Sequence, residues 1–243
     1  MGINLIVGKA IENVLDRLIR FNYKWAVFVP TGRVLTLDLK RWRLEPKVIF
    51  DVGANEGQTA LHFKRHFKTS EIYSFEPVSE VFDLLTEHSK FSDIKCFKNA
   101  LGDEKTIKKI FKSASYSGVA SIKGAQQAHL SDEEDVQVIT GESICKELGV
   151  ETIDLLKIDT EGYELDVLRG FGPLLTKSVK MVFAETGFIK NNPCQTYISD
   201  LTSYMFANGF IVSGVYNQFR FADKKKELHH CDILFMNTHI VDV

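Results

Sequence analysis

Four cysteines and five prolines are sparse for a chain of 243 residues. The cysteines, Cys96, Cys145, Cys194 and Cys231, form no CxxC pair. That excludes a disulfide framework and a zinc-ribbon pattern, and predicts reduced, mostly buried thiols. No stretch approaches the roughly 18 uninterrupted apolar residues of a membrane helix. The opening MGINLIVGKAIENVLDRLIRF has no basic leader and no small-residue cleavage site, so a signal peptide is not expected and the chain reads as cytoplasmic. A strong net charge is missing too. The formal value of -2 argues against binding to nucleic acid or membrane on electrostatics alone. The charge is unevenly spread, however. Residues 1–47 hold nine Lys/Arg against four Asp/Glu, and the remainder is acidic.

The composition that is present, 44% hydrophobic and 26% charged, suits a globular chain long enough for one large α/β core. Residues 3–21 carry Ile3, Ile6, Val7, Ala10, Ile11, Val14, Leu15, Leu18 and Ile19 at helical spacing, which predicts an amphipathic helix. Such a stripe is expected to pack on protein, with a homo-oligomer contact favoured over a membrane surface. Residues 33–45 read as a short extended stretch. Residues 1–46 thus form an accessory segment, and 47–243 the main domain.

From Lys47 strands and helices alternate. The expected strands are 48–52, 71–76, 94–100, 153–159 and 179–185. Between them fall helices over 57–68, over 79–88 (burying Val81, Phe82, Leu84 and Leu85) and over 161–169, the last closed by Gly170. Residues 104–140 break the rhythm and read as an insertion: two sheet strands, 106–111 and 136–140, flank a polar loop over the active face. A helix over 196–208 precedes an antiparallel hairpin of 210–216 and 231–237. This predicts a doubly wound α/β sheet of seven strands, mostly parallel, with an antiparallel C-terminal hairpin.

In such a sheet, ligands sit outside the carboxyl ends of the strands. Each of those ends is acidic, amide-bearing or glycine-rich: Asp51 to Gly57, Glu76-Pro77, Asn99 to Gly102, Asp159 to Gly162, and Glu185 to Gly187. Gly53 and Gly57 permit a tight turn and close backbone approach to a ligand. The loop is not GxGxxG, and its Asp51 and Glu56 suit a cationic ligand better than the diphosphate of a dinucleotide. Glu76 lies nineteen residues beyond Gly57, where related folds place the acid that holds a ribose diol. His62, His66 and His88 fall within helices at no ligand-like spacing. His229 and His230 precede the last strand and reach toward the site from its rim, or belong to a solvated hairpin. The Lys224–Lys226 run reads as a solvated turn.

The segments VIFDVGANEGQTALHF, YSFEPVSEVFDLL, KNALGD and IDLLKIDTEGYELDVLRG resemble the FkbM-type methyltransferases, over about residues 47–237. The resemblance implies a class I fold dependent on S-adenosyl-L-methionine (SAM), and methyl transfer to oxygen of a sugar or other small hydroxylated molecule. Carried over, the loop with Asp51, Gly53, Asn55 and Gly57 would hold the methionine part of SAM. Glu76 would hold the ribose, and Asn99, Ala100 and Leu101 would flank the adenine. Asp159 would sit beside the methyl group. Asp159 and Glu185 are the candidate catalytic carboxylates, as base or as two ligands of a divalent cation. Glu161 either joins them or caps the helix it opens. The N-terminal segment and loop 112–135 match poorly and are candidates for substrate choice. Two alternatives are a nicotinamide-dependent oxidoreductase on a similar sheet and a SAM-binding protein that has lost catalysis.

Overall fold

The computed structural model describes residues 29–113, 116–124, 130, 132–221 and 226–241. The predicted helix over 3–21, the tip of loop 112–135 and the start of the lysine run lie outside those residues. The chain divides at Leu44/Glu45 into two compact units.

In the first unit, Leu35–Arg41 is a helix, α1, where the sequence reading expected an extended stretch. The alternating Leu35, Leu37 and Leu39 suggested a strand, yet the intervening Thr36 and Asp38 are buried as well. Asp38 accepts the Gly32 N–H at 2.7 Å and a bond from Arg41 at 3.2 Å, satisfying its charge within one turn and the loop before it.

The second unit is built on a seven-stranded sheet. Its strands are β1 (Val48–Val52), β2 (Glu71–Phe75), β3 (Ile94–Phe97), β8 (Leu155–Ile158), β9 (Met181–Gly187), β10 (Phe210–Phe219) and β11 (His230–Asn237). Their order across the sheet is β10-β11-β9-β8-β1-β2-β3. The first five are mutually parallel, while β11 runs antiparallel to both β9 and β10. Continuous apolar runs such as Leu155-Leu156 and Val182-Phe183-Ala184 are buried on both faces, as parallel strands require. The chain starts at β1, winds outward to β3, then returns to β8 on the other side. The crevice where β1 and β8 part is the topological switch point.

The helices of this unit are α2 (Gln58–His66), α3 (Ser79–Ser89), α4 (Gly141–Leu148), α5 (Glu164–Arg169), α6 (Leu174–Ser178) and α7 (Ile198–Ala207). On α3, Val81 and Leu85 are buried as expected, but Leu84 is exposed. The helix expected from Glu161 begins only at Glu164, because Glu161 and Gly162 both adopt left-handed backbone conformations, φ 51° and 96°. Gly170 does close α5, in a right-handed conformation.

The expected third strand, 94–100, is two strands: β3 ends at Phe97, and β4 (Ala100–Gly102) belongs to a second sheet. That sheet, ordered β4-β7-β5-β6, comprises β5 (Thr106–Ser113), β6 (Tyr116–Ser121) and β7 (Asp132–Thr140). The insertion therefore folds back on β4 as ordered sheet, and its presumed loop contains a strand. Its buried Ile110, Val136 and Val138 pack with Val78 and Val81 at the start of α3. Among the described residues no helix is long and apolar enough to cross a membrane.

Candidate active site

A cleft of about 800 Å³ opens at the switch point. Of the residues expected to bind or react, Gly53, Asn55, Glu76, Asn99, Ala100, Asp159 and Glu185 line it. Asp51 and Gly57 do not. In sheet order one end is apolar, formed by Pro77, Val78, Ala100 and Leu101 after β2 and β3, and the other is acidic, formed by Asp159, Glu161 and Glu185 at the ends of β8 and β9.

Glu76 stands between these ends. Its two carboxylate oxygens accept N–H bonds from Asn55 at 3.0 Å and Val78 at 2.9 Å. The carboxyl is thereby held in a fixed orientation, with acceptor capacity left over for a ligand. Burial pushes its pKa up to about 7, against the pull of those two N–H groups.

The glycines of the first loop serve the protein backbone. Gly53 has φ 72°, and a Cβ there would lie 1.8 Å from the carbonyl oxygen of Asp159. Its lack of a side chain lets the loops after β1 and β8 close on each other, and Gly53 also lines the cleft. Gly57, φ 88°, caps α2 from outside the cleft, and a Cβ there would meet Leu85 of α3.

Asp51 is likewise internal. It is fully buried, and Lys157 Nζ sits 3.0 Å from its Oδ1. Lys157, also buried, donates to the Gly53 carbonyl at 2.8 Å and lies 3.7 Å from Asp159 Oδ2. Burial alone would lower the lysine's pKa, but the carboxylates of Asp51 and Asp159 outweigh it, and the net direction is upward. One ammonium therefore ties the end of β1 to the first loop and to Asp159. The sequence reading missed it, although a lone lysine in the apolar run IDLLKID was a visible signal. Glu164 was missed too. Its carboxylate accepts from Thr160 N–H at 2.9 Å, Thr160 Oγ1 at 3.0 Å, Gly162 N–H at 3.2 Å and the Thr196 hydroxyl. No side chain caps α5, the work offered to Glu161 as one reading; Glu164 instead holds the left-handed turn before the helix in place. Glu161 instead lines the cleft.

Glu161 and Glu185, at the cleft's far end, are both raised. Burial, then the charges of Asp159 and Glu164, push Glu161 up to about 8. Burial, then Asp159, Glu161 and Asp232, hold Glu185 well above the usual carboxylate range. Among the described residues no three His, Cys, Asp or Glu side chains converge as a cation site would require. Glu161 and Glu185 thus hold protons near neutrality, so this end can pass a proton and takes on negative charge when a cationic group enters.

This sheet order, with its cleft at the switch point, is the class I SAM-dependent methyltransferase fold. Methyltransferase FkbM from Methylobacillus flagellatus shares it at TM-score 0.50 and 14% identity, over 79% of this chain and 44% of that one. Residues 51–212 match the Methyltransferase FkbM domain, and the chain belongs to that family. It is similar to Methyltransferase sdnD of Sordaria araneosa, 28% identical over 173 residues, covering 57% of this chain and 65% of that protein. It is also similar to Hexuronic acid methyltransferase AglP of Haloferax volcanii, 28% identical over 141 residues, covering 58% of this chain and 56% of that protein. These matches span less than two thirds of either relative. Family membership favours methyl transfer over the nicotinamide alternative.

Proposed function

We propose that the protein transfers a methyl group from SAM to a hydroxyl oxygen of a small molecule or sugar. The observation that carries this reading is the polarity of the cleft: an apolar end, the oriented Glu76 carboxylate, then the acidic end. The three regions match, in order, an adenine, a ribose diol and a cationic sulfonium with its ammonium. SAM supplies a methyl group already activated on that sulfonium. Val78, Ala100 and Leu101 take the adenine, and Glu76 accepts from the ribose hydroxyls. Asp159 and Glu185 face the reacting end. There the chain's contribution is to orient the acceptor, exclude water and receive the hydroxyl proton, for which Asp159 is the proposed base. Lys157 keeps Asp159 beside the first loop.

Calorimetric titration of SAM and S-adenosylhomocysteine tests the cofactor assignment. Loss of a charge-assisted hydrogen bond is worth about 1.5–3 kcal/mol, so Glu76→Ala should weaken binding by roughly 10- to 150-fold while the protein stays folded. An unchanged dissociation constant would remove Glu76 from the site. Incubation with carbon-13 methyl-labelled SAM and a panel of hydroxylated and amino acceptors tests the rest. Methoxy carbons are the expected product, and N-methyl carbons alone would overturn the choice of oxygen.

A further inference from the structure

Six described residues other than glycine take a positive φ, and four of them, Asn55, Asp93, Asn191 and Asn217, are of the two types that tolerate it best. Of the other two, Arg43 is exposed in the turn after α1. Glu161, with φ 51°, lines the cleft. A glutamate gains nothing locally from a left-handed backbone, and such strain persists only where the surroundings over-determine it.

Three elements do so here. The buried Glu164 of α5 accepts through a single oxygen, Oε1, from the Thr160 N–H, the Thr160 hydroxyl and the Gly162 N–H. Residues 160 and 162 thus converge on one atom, and the residue between them is turned away from it. The other oxygen of Glu164 takes the Thr196 hydroxyl, which fixes the carboxylate to the segment before α7. Behind the turn, a Cβ on Gly162 would lie 2.3 Å from the Pro193 carbonyl oxygen, so the loop after β9 closes that side. From β6, the Ser121 hydroxyl donates to the Glu161 carbonyl at 2.6 Å. The backbone of Glu161 is clamped, while among the described residues none donates to its carboxylate. Glycine would form the same turn without strain. What the glutamate adds is an unpartnered carboxylate in the cleft.

We propose that Glu161 is the counter-charge of the SAM sulfonium, and that Glu164 is the positioning residue that aims it. The proposal rests on the methyl-transfer reading above and adds a division of labour among the acids. Glu161 serves the methyl donor, which leaves Asp159 free for the acceptor. A carboxylate and a sulfonium in a partly desolvated cleft attract each other more strongly than in water. S-adenosylhomocysteine lacks that positive charge, so Glu161 favours the incoming cofactor over the outgoing product. As the methyl group leaves, the C–S bond breaks with its electron pair kept by sulfur, and the charge that Glu161 held is gone. The strained turn thus selects SAM for binding and S-adenosylhomocysteine for release.

Calorimetric titration with SAM and with S-adenosylhomocysteine at pH 8.5 tests this. Burial, then Asp159 and Glu164, push Glu161 up to about 8, so its carboxylate is ionised there. Glu161→Gln should lower the ratio of SAM affinity to S-adenosylhomocysteine affinity by about tenfold, the loss of one charged contact. Glu161→Gly should lower it as far, yet melt at or above the wild-type temperature, because glycine takes the turn without strain. Glu164→Gln keeps the side-chain volume and weakens the oxygen on which the turn converges. It should lower the ratio severalfold in the otherwise wild-type protein, and by less than about twofold in the Glu161→Gly protein. An unchanged ratio in Glu161→Gln overturns the contact. A Glu161→Gly protein that melts several degrees lower than wild type overturns the strain argument. Equal falls on Glu164→Gln in both backgrounds, or no fall in either, overturn the positioning role. Failure of the wild-type protein to bind S-adenosylhomocysteine would instead overturn the methyl-transfer reading.

Discussion

Lys157→Met isolates the ion pair beneath the first loop. Methionine approximates the shape of the lysine stem, so the change removes charge with little change in packed volume. It leaves Asp51, with no solvent exposure, facing no cation. Breaking a buried pair from one side costs about 3–5 kcal/mol. In a domain of this size each kcal/mol shifts the melting temperature by about 2–4 °C, so a fall of roughly 6–20 °C is expected. Adding Asp51→Asn should recover most of that loss, because replacing both members of a buried pair is often close to neutral. Differential scanning calorimetry of wild type, the two single variants and the double variant closes the cycle. A Lys157→Met protein that melts within 2 °C of wild type would refute the reasoning. So would a double variant whose loss equals the sum of the single losses.

The raised acids predict a pH dependence. Glu76, pushed up to about 7, and Glu161, pushed up to about 8, bind protons in the folded state that they release when unfolded. Their stabilising contribution is complete below their ordinary value of 4.5 and is lost as pH rises through 7 and 8. The ligand-free protein should therefore melt lower at pH 8.5 than at pH 6. Stabilisation by cationic SAM relative to neutral S-adenosylhomocysteine should widen over the same range. Thermal-shift curves that are flat or rise with pH would contradict this. Gly53→Ala, whose Cβ must displace the Asp159 carbonyl, should lower the melting temperature by several degrees and abolish S-adenosylhomocysteine binding. A native-like melt with wild-type affinity would show that the two loops have slack.

The strands that could be read from the sequence were those whose pattern is unambiguous alone, such as VIFDV and VKMVFAE, whose apolar residues run on without a helical or alternating period. The strand-end rule then placed Glu76, Asp159 and Glu185 at one cleft without reference to their partners. What could not be read depended on neighbours distant in sequence. Lys157 acquires its role only once β8 lies beside β1, which brings it opposite Asp51. Gly53 and Gly57 were recognised as necessary, but the Asp159 backbone and Leu85, which also leave no room for a side chain there, lie far along the chain. The late start of α5 was hidden because a non-glycine residue, Glu161, takes a left-handed conformation that Glu164 and Thr196 support from elsewhere. In α1, alternating leucines imitate a strand because the polar residues between them are buried too.

The second sheet bears on how this protein can be altered. Read linearly, residues 104–140 interrupt an otherwise regular α/β alternation, as a module added at a permissive site would. In space, Ile110, Ala120 and Ile122 form part of the cleft wall, and the Ser121 hydroxyl donates to the Glu161 carbonyl at 2.6 Å. Lys123 forms an ion pair with Asp166 on α5. Exchanging this segment between homologues to redirect specificity would thus replace a wall of the cofactor cleft and a support of Glu161 in the same operation.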